Sequence, residues 1–313
     1  MCGLSHGVPQ GSILGPVLFT IFINDLPTVP ESCTLESYVD DSKLFLSFQV
    51  KDSLDVATQV NDDLKRVAYW CSQNSLLINP TKTKVLLVGT RQMLQRVPSD
   101  FKLLLLGKEL APVPSVKDLG LFVDSTLSFD EHITITVSSC MASLVQINRV
   151  KHLLDLKTLE NVIYSLVFSK LFYCCTVWSG TSKKNVKKLQ RVQSFALRLV
   201  TKASKYVHIT PLLHQLQWLP VKSILLFKEG VLAFKCVKGL APSYLTARFN
   251  KRSTVHDKDT RNKDSLIIPH YKSTSGQRAF SYRGIRLWNS FPIENRELYE
   301  IGRFKRELKE FLK

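Results

Sequence analysis

No two of the seven cysteines, at 2, 33, 71, 140, 174, 175 and 236, stand in Cys-x-x-Cys spacing, and the seven histidines have no metal-ligand spacing either. An odd cysteine count without paired spacing argues against a disulfide framework and against a zinc site, so the cysteines read as reduced thiols filling cores. Long apolar runs are also missing. The longest, residues 159–178, carries Glu160 and Lys170 and reads as a buried helix; residues 13–23 are too short to span a bilayer and contain Pro16. The first residues lack the basic start and apolar core of a secretory leader, so the expected location is intracellular, in nucleus or cytoplasm, and not secreted.

Acidic residues are scarce at one end. Residues 1–90 hold 6 Lys/Arg and 9 Asp/Glu, residues 91–180 hold 9 and 8, and residues 181–313 hold 28 and 9, for nets of −3, +1 and +19. A positive charge concentrated in one third is the footprint of a surface that follows a phosphate backbone. A membrane surface would use the same charge, but neither end carries a lipidation signal. At 313 residues and 44% hydrophobic content, the chain has material for two or more domains.

The most informative residues are Asp40 and Asp41, which follow Tyr38 and Val39 and precede a second apolar run at Leu44, Phe45, Leu46 and Phe48. This pattern reads as a hairpin with its acids at the bend. Neighbouring side chains on a straight strand face opposite ways, so adjacent aspartates reach one ion only where the backbone turns. Hard divalent cations take carboxylate and phosphate oxygens, and phosphoryl transfer commonly uses two of them. A solvated turn is the alternative, since acids are common there.

Upstream lies Gly7-Val8-Pro9-Gln10-Gly11-Ser12, then Ile13-Leu14-Gly15-Pro16 and the apolar Val17 to Ile23. Downstream lie Asn79-Pro80-Thr81-Lys82-Thr83 and Val116-Lys117-Asp118-Leu119-Gly120, followed by residues 127–132. In this order the blocks resemble the motifs of non-LTR (LINE-type) retrotransposon reverse transcriptases: Gly-x-Pro-Gln-Gly-Ser, Tyr-x-Asp-Asp, Asn-x-x-Lys-Thr and the primer-side Leu-Gly block. The resemblance implies RNA-directed DNA polymerase (nucleotidyltransferase) chemistry, with Asp40 and Asp41 as catalytic metal ligands for two Mg²⁺ ions. It places Gln10 and Gly11 beside the nascent base pair, and Tyr38 and Val39 at the primer end. Lys82 would face the departing pyrophosphate, unless it is a solvated loop lysine. Leu119 and Gly120 would lie on the primer side. The implied partners are an RNA template, a DNA primer and deoxynucleoside triphosphates, with no membrane and protein partners unspecified.

The family also has an essential aspartate on a strand upstream of the Gln-Gly block, and only six residues precede Gly7 here. The chain therefore reads as N-terminally truncated. It is expected to polymerise poorly alone and to leave an uncovered sheet edge, so whether it is itself an enzyme stays open.

The rest of the chain supplies architecture. Leu54, Ala57, Val60, Leu64, Val67, Ala68 and Cys71 recur on one face of a helix whose other face holds Asp62, Asp63, Lys65 and Arg66. Residues 85–88, 103–106 and 119–123 read as short strands. Beyond them the apolar spacing becomes helical, and Lys183, Lys184, Lys187, Lys188 and Arg191 line one side of a helix that turns Leu189, Val192, Ala196 and Leu199 inward. These basic residues are the expected contacts to a nucleic-acid backbone. Trp218 and Tyr244 read as packing at helix ends, with base stacking as the alternative. Arg278, Arg283 and Arg286, interleaved with Phe280, Tyr282 and Trp288, form a small basic-aromatic patch suited to RNA.

The fold class expected is α+β: a partial right-hand polymerase palm (an antiparallel sheet with helices) over 1–124, an all-helical thumb-like unit over 125–249, and a basic linker and C-terminal helix over 250–313. Two rival readings remain: a non-catalytic nucleic-acid-binding remnant using the basic thumb and tail, and a fragment without function.

Overall fold

Apolar residues three and four apart near Val56 fold as helix α2 (Ser53–Gln73), a helix of 21 residues. The structure is a computed structural model that describes residues 11–252 and 265–313. The chain divides into two compact units, residues 1–116 and 117–313.

The first unit begins with helix α1 (Gly15–Phe22), whose Pro16 suits the first helical turn, where its missing N–H costs nothing. None of its residues is buried. Strands β1 (Thr34–Tyr38) and β2 (Asp41–Phe45) pair antiparallel from Thr34↔Phe45 to Tyr38↔Asp41. After α2 come a short helix α3 (Arg91–Leu94) and the hairpin of β3 (Leu103–Leu105) and β4 (Lys108–Leu110). The core joins Ala57 of α2 to Phe101, Leu103, Leu105 and Leu110, with Phe48, Val60 and Leu64 packed at its edge.

Two expectations need correction here. Residues 85–88 form no strand; Val85 makes a single parallel bridge to Pro112. Pro112 and Pro114 flank the one amide, Val113, that donates to Val85, so the ladder cannot extend. Nor do the strands join in one palm-like sheet. Among the described residues they form three separate two-stranded sheets, each closed locally by a two-residue turn.

Asp63 departs from its expected place on the wet face of α2. It is fully buried, and accepts from the backbone amides of Glu31 (2.9 Å), Ser32 (2.9 Å) and Cys33 (2.7 Å) and from Arg66 (2.7 Å). Burial pushes its carboxyl upward, but the amides of Glu31, Cys33 and Ser32 and the Cys33 thiol hold it down at about 2. The carboxylate thus ties the entry of β1 to α2.

The third hairpin, β5 (Ser115–Asp118) and β6 (Leu121–Asp124), leads into the helices of the second unit. Those are α4 (Asp130–Val150), α5 (Leu156–Ile163), α6 (Ser169–Leu171), α7 (Cys175–Trp178), α8 (Lys183–Thr201) and α9 (Ile209–Gln215). They are followed by α10 (Val221–Val237), α11 (Ser243–Thr246), α12 (Thr274–Gln277), α13 (Phe280–Ser290), α14 (Ile293–Glu297) and α15 (Ile301–Phe311). The mixture of helices and small antiparallel sheets is α+β. A π-helical turn, Tyr164–Phe168, interrupts the apolar run between α5 and α6.

The second unit has two main cores. One gathers Ile133, Cys140 and Leu144 of α4, Ile163, Trp178, and Leu189, Val192 and Ala196 of α8. The other gathers Ile285 and Trp288 of α13, Phe291, and Phe304 and Leu308 of α15. Helix α10 serves both, through Val221 and Leu225 in the first and Ala233, Phe234 and Cys236 in the second. At its middle, a Cβ on Gly230 would meet Leu308 at 2.8 Å and Phe291 at 3.1 Å, so glycine is what lets α15 approach. Of the basic linker and C-terminal helix expected over 250–313, residues 253–264 lie outside the described residues.

Candidate active site

The carboxylates fall where the alternation placed them. β1 and β2 are joined by Val39 and Asp40 alone, and Asp41 opens β2 opposite Tyr38. Val39 has a φ of +57° while Asp40 stays at negative φ. That sign pattern belongs to a type II′ turn, whose first position favours glycine. A β-branched residue there is strained. Leu35 is buried and its partner Leu44 half-buried, so one face of the hairpin is anchored, and Ser37 and Ser42 hydrogen-bond across it at 2.9 Å. Tyr38, Val39, Asp40 and Asp41 are all exposed at the tip.

Two adjacent carboxylates on a bend offer a hard cation oxygen donors with free valences for phosphate oxygens. Among the described residues no group of three or more His, Cys, Asp or Glu side chains gathers into a metal-binding cluster. Asp25, at the far end of the α1 segment, accepts instead from Trp70 Nε1 at 3.1 Å.

The other predicted residues fall into separate places. Gln10 lies outside the described residues; Gly11 is exposed, at a φ of +87° that favours glycine. Asn79 organises the turn carrying Lys82: its Oδ1 accepts from Thr81 N at 2.9 Å and its carbonyl from Lys82 N at 3.1 Å. Lys82 itself is exposed.

Leu119 and Gly120, in the second unit, are the two residues between β5 and β6, both at positive φ (+42° and +86°). This is a type I′ turn, and Leu106 and Gly107 build the same turn between β3 and β4 at +49° and +78°. Sequence reasoning missed what fixes the Leu119-Gly120 turn: the Tyr173 hydroxyl donates to the Leu119 carbonyl at 3.0 Å, and its ring would lie 3.3 Å from a Cβ on Gly120. Nothing within the motif points to a residue more than fifty positions away.

On α8, Lys183, Lys184, Lys187 and Arg191 are exposed, while the opposite side is buried. The Ser182 hydroxyl caps the helix, accepting from the Asn185 amide. Residues 183, 187 and 191 follow at intervals of four, a basic stripe of roughly 12 Å. Lys188 turns aside, half-buried, to donate to Thr134 at 2.9 Å.

The C-terminal basic-aromatic patch is smaller than expected. Arg283 is half-buried in an ion pair with the buried Glu229, Trp288 and Phe280 belong to a core, and the exposed Arg286 stands over Tyr282 at 5.6 Å. Trp218 packs edge-on against Tyr164 and Phe168 as expected, whereas Tyr244 is exposed rather than packed.

Residues 3–123 match the family model described as reverse transcriptase (RNA-dependent DNA polymerase). The "Probable RNA-directed DNA polymerase from transposon BS" of Drosophila melanogaster is 30% identical over 66% of this chain and 23% of its own length. The RNA-directed DNA polymerase from mobile element jockey of the same organism is 25% identical over 65% of this chain and 23% of its own. The chain thus spans about a quarter of the length of the curated relatives it matches. No solved structure matches. The Tyr-x-Asp-Asp tip lies on its own hairpin inside the matched residues, and the chain is similar there to the RNA-directed DNA polymerases of these mobile elements.

Proposed function

We propose that this chain contributes to RNA-directed DNA synthesis, with Asp40 and Asp41 holding Mg²⁺ where a primer 3′ hydroxyl meets a deoxynucleoside triphosphate. The observation that carries the reading is the exposed pair at the tip of β1–β2, in a turn strained at Val39. When bound, two such ions would stabilise the attacking and leaving oxygens. Asp40, on the turn, is the principal ligand, and Asp41, first in β2, orients it. Gln10 and Gly11 border the nascent base pair, Tyr38 and Val39 shape the primer end, and Lys82 offers its charge to pyrophosphate. Leu119 and Gly120 support the primer side, and the α8 stripe of Lys183, Lys184, Lys187 and Arg191 follows the template–primer backbone. Two aspartates leave a two-ion site short of a bridging ligand, so extension by this chain alone is expected to be weak.

The test is Mg²⁺-dependent extension of a DNA primer on an RNA template, comparing the chain with its Asp40→Asn, Asp41→Asn variant. Extension that the double variant retains would sink the assignment. Mn²⁺ gives an activity-independent readout, since it should broaden the amide NMR signals of residues 38–42 in the wild type and spare them in the variant.

The second reading, a non-catalytic nucleic-acid-binding protein, is favoured by the exposed basic stripe of α8. It predicts salt-sensitive duplex binding that Asp40→Asn leaves intact.

A further inference from the structure

Between Glu160 and Glu229 the chain has no acidic residue, while Lys183, Lys184, Lys187, Arg191, Lys202 and Lys205 are all exposed. A partner for this stretch must be anionic. Helix α8 ends in a left-handed cap at Lys202, with a φ of +55°, which turns the chain into the short segment leading to α9. Several contacts fix that segment. Arg198, on the last turn of α8, donates to the Val207 carbonyl at 3.2 Å, the Val207 amide donates to the Ser204 carbonyl at 3.1 Å, and Ala203 packs on Leu197, Leu212 and Leu213. His208 then caps α9, its Nδ1 accepting from the Thr210 amide at 3.4 Å. Lys205 and Tyr206 are held at the tip between these anchors. The Tyr206 ring is 84% exposed, and the Lys205 ammonium stands 5.0 Å from its centre.

Lys202 lies eleven residues after Arg191, close to three whole helical turns, so the tip continues the basic side of α8 at its C-terminal end. What the tip adds is a ring. Paired bases stack on one another inside a duplex and offer no open face to a side chain at its surface, whereas unpaired bases stack readily on an aromatic ring in a basic setting. We propose that Lys205 and Tyr206 bind an unpaired nucleotide of a single strand, its base on the face of Tyr206 that Lys205 leaves open and its phosphate on the Lys205 ammonium. This rests on the nucleic-acid reading of α8 above and adds a second kind of strand to it. An anionic lipid surface would use the same charge, but Tyr206 and Val207 among Ser204, Lys205 and His208 are too little apolar surface to lie in a bilayer interface.

The experiment uses the full chain and three fluorescent probes of equal length, read by anisotropy: a single-stranded oligonucleotide, the same strand with abasic sites throughout, and a blunt duplex. The variants are Tyr206→Ser, Tyr206→Phe and Lys205→Gln, each checked for wild-type circular dichroism, with Lys187→Glu, Arg191→Glu as the α8 control. Tyr206→Ser should weaken the single strand about fivefold or more, the loss expected for one stacked base, and leave the abasic strand and the duplex as in wild type. Tyr206→Phe should keep the wild-type affinity, and Lys205→Gln should weaken both the natural and the abasic strand. A Tyr206→Ser variant that matches wild type on the single strand, or that weakens the abasic strand equally, overturns the proposal. So does a loss in Tyr206→Ser confined to vesicles containing phosphatidylserine, which would make the tip a lipid contact. If the α8 control weakens the duplex and Tyr206→Ser changes nothing, the tip falls and the nucleic-acid reading of α8 stands. If Tyr206→Ser weakens the single strand and no duplex binds at all, the duplex reading of α8 falls and the tip stands.

Discussion

Arg283 on α13 and the buried Glu229 on α10 form an ion pair at the junction of the two helical cores. Arg283 also donates to Ser179 Oγ (2.8 Å), the Arg278 carbonyl (2.7 Å) and the Thr176 carbonyl (2.9 Å), and Ser179 donates to Glu229. Burial draws the guanidinium down to about 10, far above any working pH, so the pair stays charged. Removing one partner strands the other charge, and Glu229→Gln or Arg283→Met should cost about 3 kcal/mol or more in urea unfolding followed at the tryptophans of this unit. The Glu229→Met, Arg283→Met double variant should recover much of the loss, because two apolar side chains leave no orphaned charge.

Asp63 makes the first unit acid-sensitive. Its folded pKa of about 2 lies below the ordinary carboxyl value of 3.8, so its stabilisation is fully present above pH ~4 and is lost as pH falls through ~2. Trp70 is the one tryptophan among residues 1–116, and its fluorescence should report an unfolding free energy that declines over that window. Asp63→Asn should flatten the decline and lower stability at pH 7 by on the order of 2 kcal/mol, since it leaves donors of Glu31, Ser32 and Cys33 poorly satisfied.

Val39 holds a backbone conformation that glycine adopts freely. Val39→Gly should therefore stabilise the first unit slightly, by up to about 1 kcal/mol, while weakening Mn²⁺ binding at residues 40 and 41, because a looser turn no longer fixes the carboxylates. Stabilisation together with unchanged ion affinity would mean that the strain serves no purpose at the tip.

Tyr173→Phe should release the Leu119 carbonyl at a cost of about 1 kcal/mol. Gly120→Ala should cost more, since the added methyl meets both an unfavourable φ and the Tyr173 ring. Amide exchange at residues 118–122 would rank the two, and a reversed order would count against the tyrosine as the clamp.

The α8 stripe makes a salt prediction. Lys187→Glu, Arg191→Glu should weaken duplex binding and reduce the slope of log affinity against log salt by about two phosphate contacts' worth. Lys188→Ala should change binding little and stability slightly, because that side chain is spent on Thr134.

What the sequence disclosed was local. The alternation around Asp40 and Asp41 located a hairpin and its tip, and the three-and-four spacing located α2 and α8 and most of the face each turns inward. What it hid depended on distant partners. Asp63 sits at helical spacing from Val56, Val60 and Val67, a position on the buried stripe, yet its charge read as solvent-facing because the amides that satisfy it lie thirty residues upstream. Arg283 read as part of a basic patch for the same reason: Glu229 and the Thr176 carbonyl are more than fifty residues away. Residues 85–88 looked like a strand because apolar content was legible and the donor-poor prolines opposite them were not weighed.

Helix α10 belongs to both helical cores at once, and this bears on how the second unit could be divided. A chain cut just after Leu240 would keep the basic helix α8 but strip Phe234 of Trp288 and Phe304 and Gly230 of Leu308 and Phe291, exposing half of α10 as a sticky apolar rod. The basic helix and the C-terminal segment are therefore not separable modules that recombination could shuffle independently; a viable breakpoint must lie outside both cores, before β6 or beyond α15.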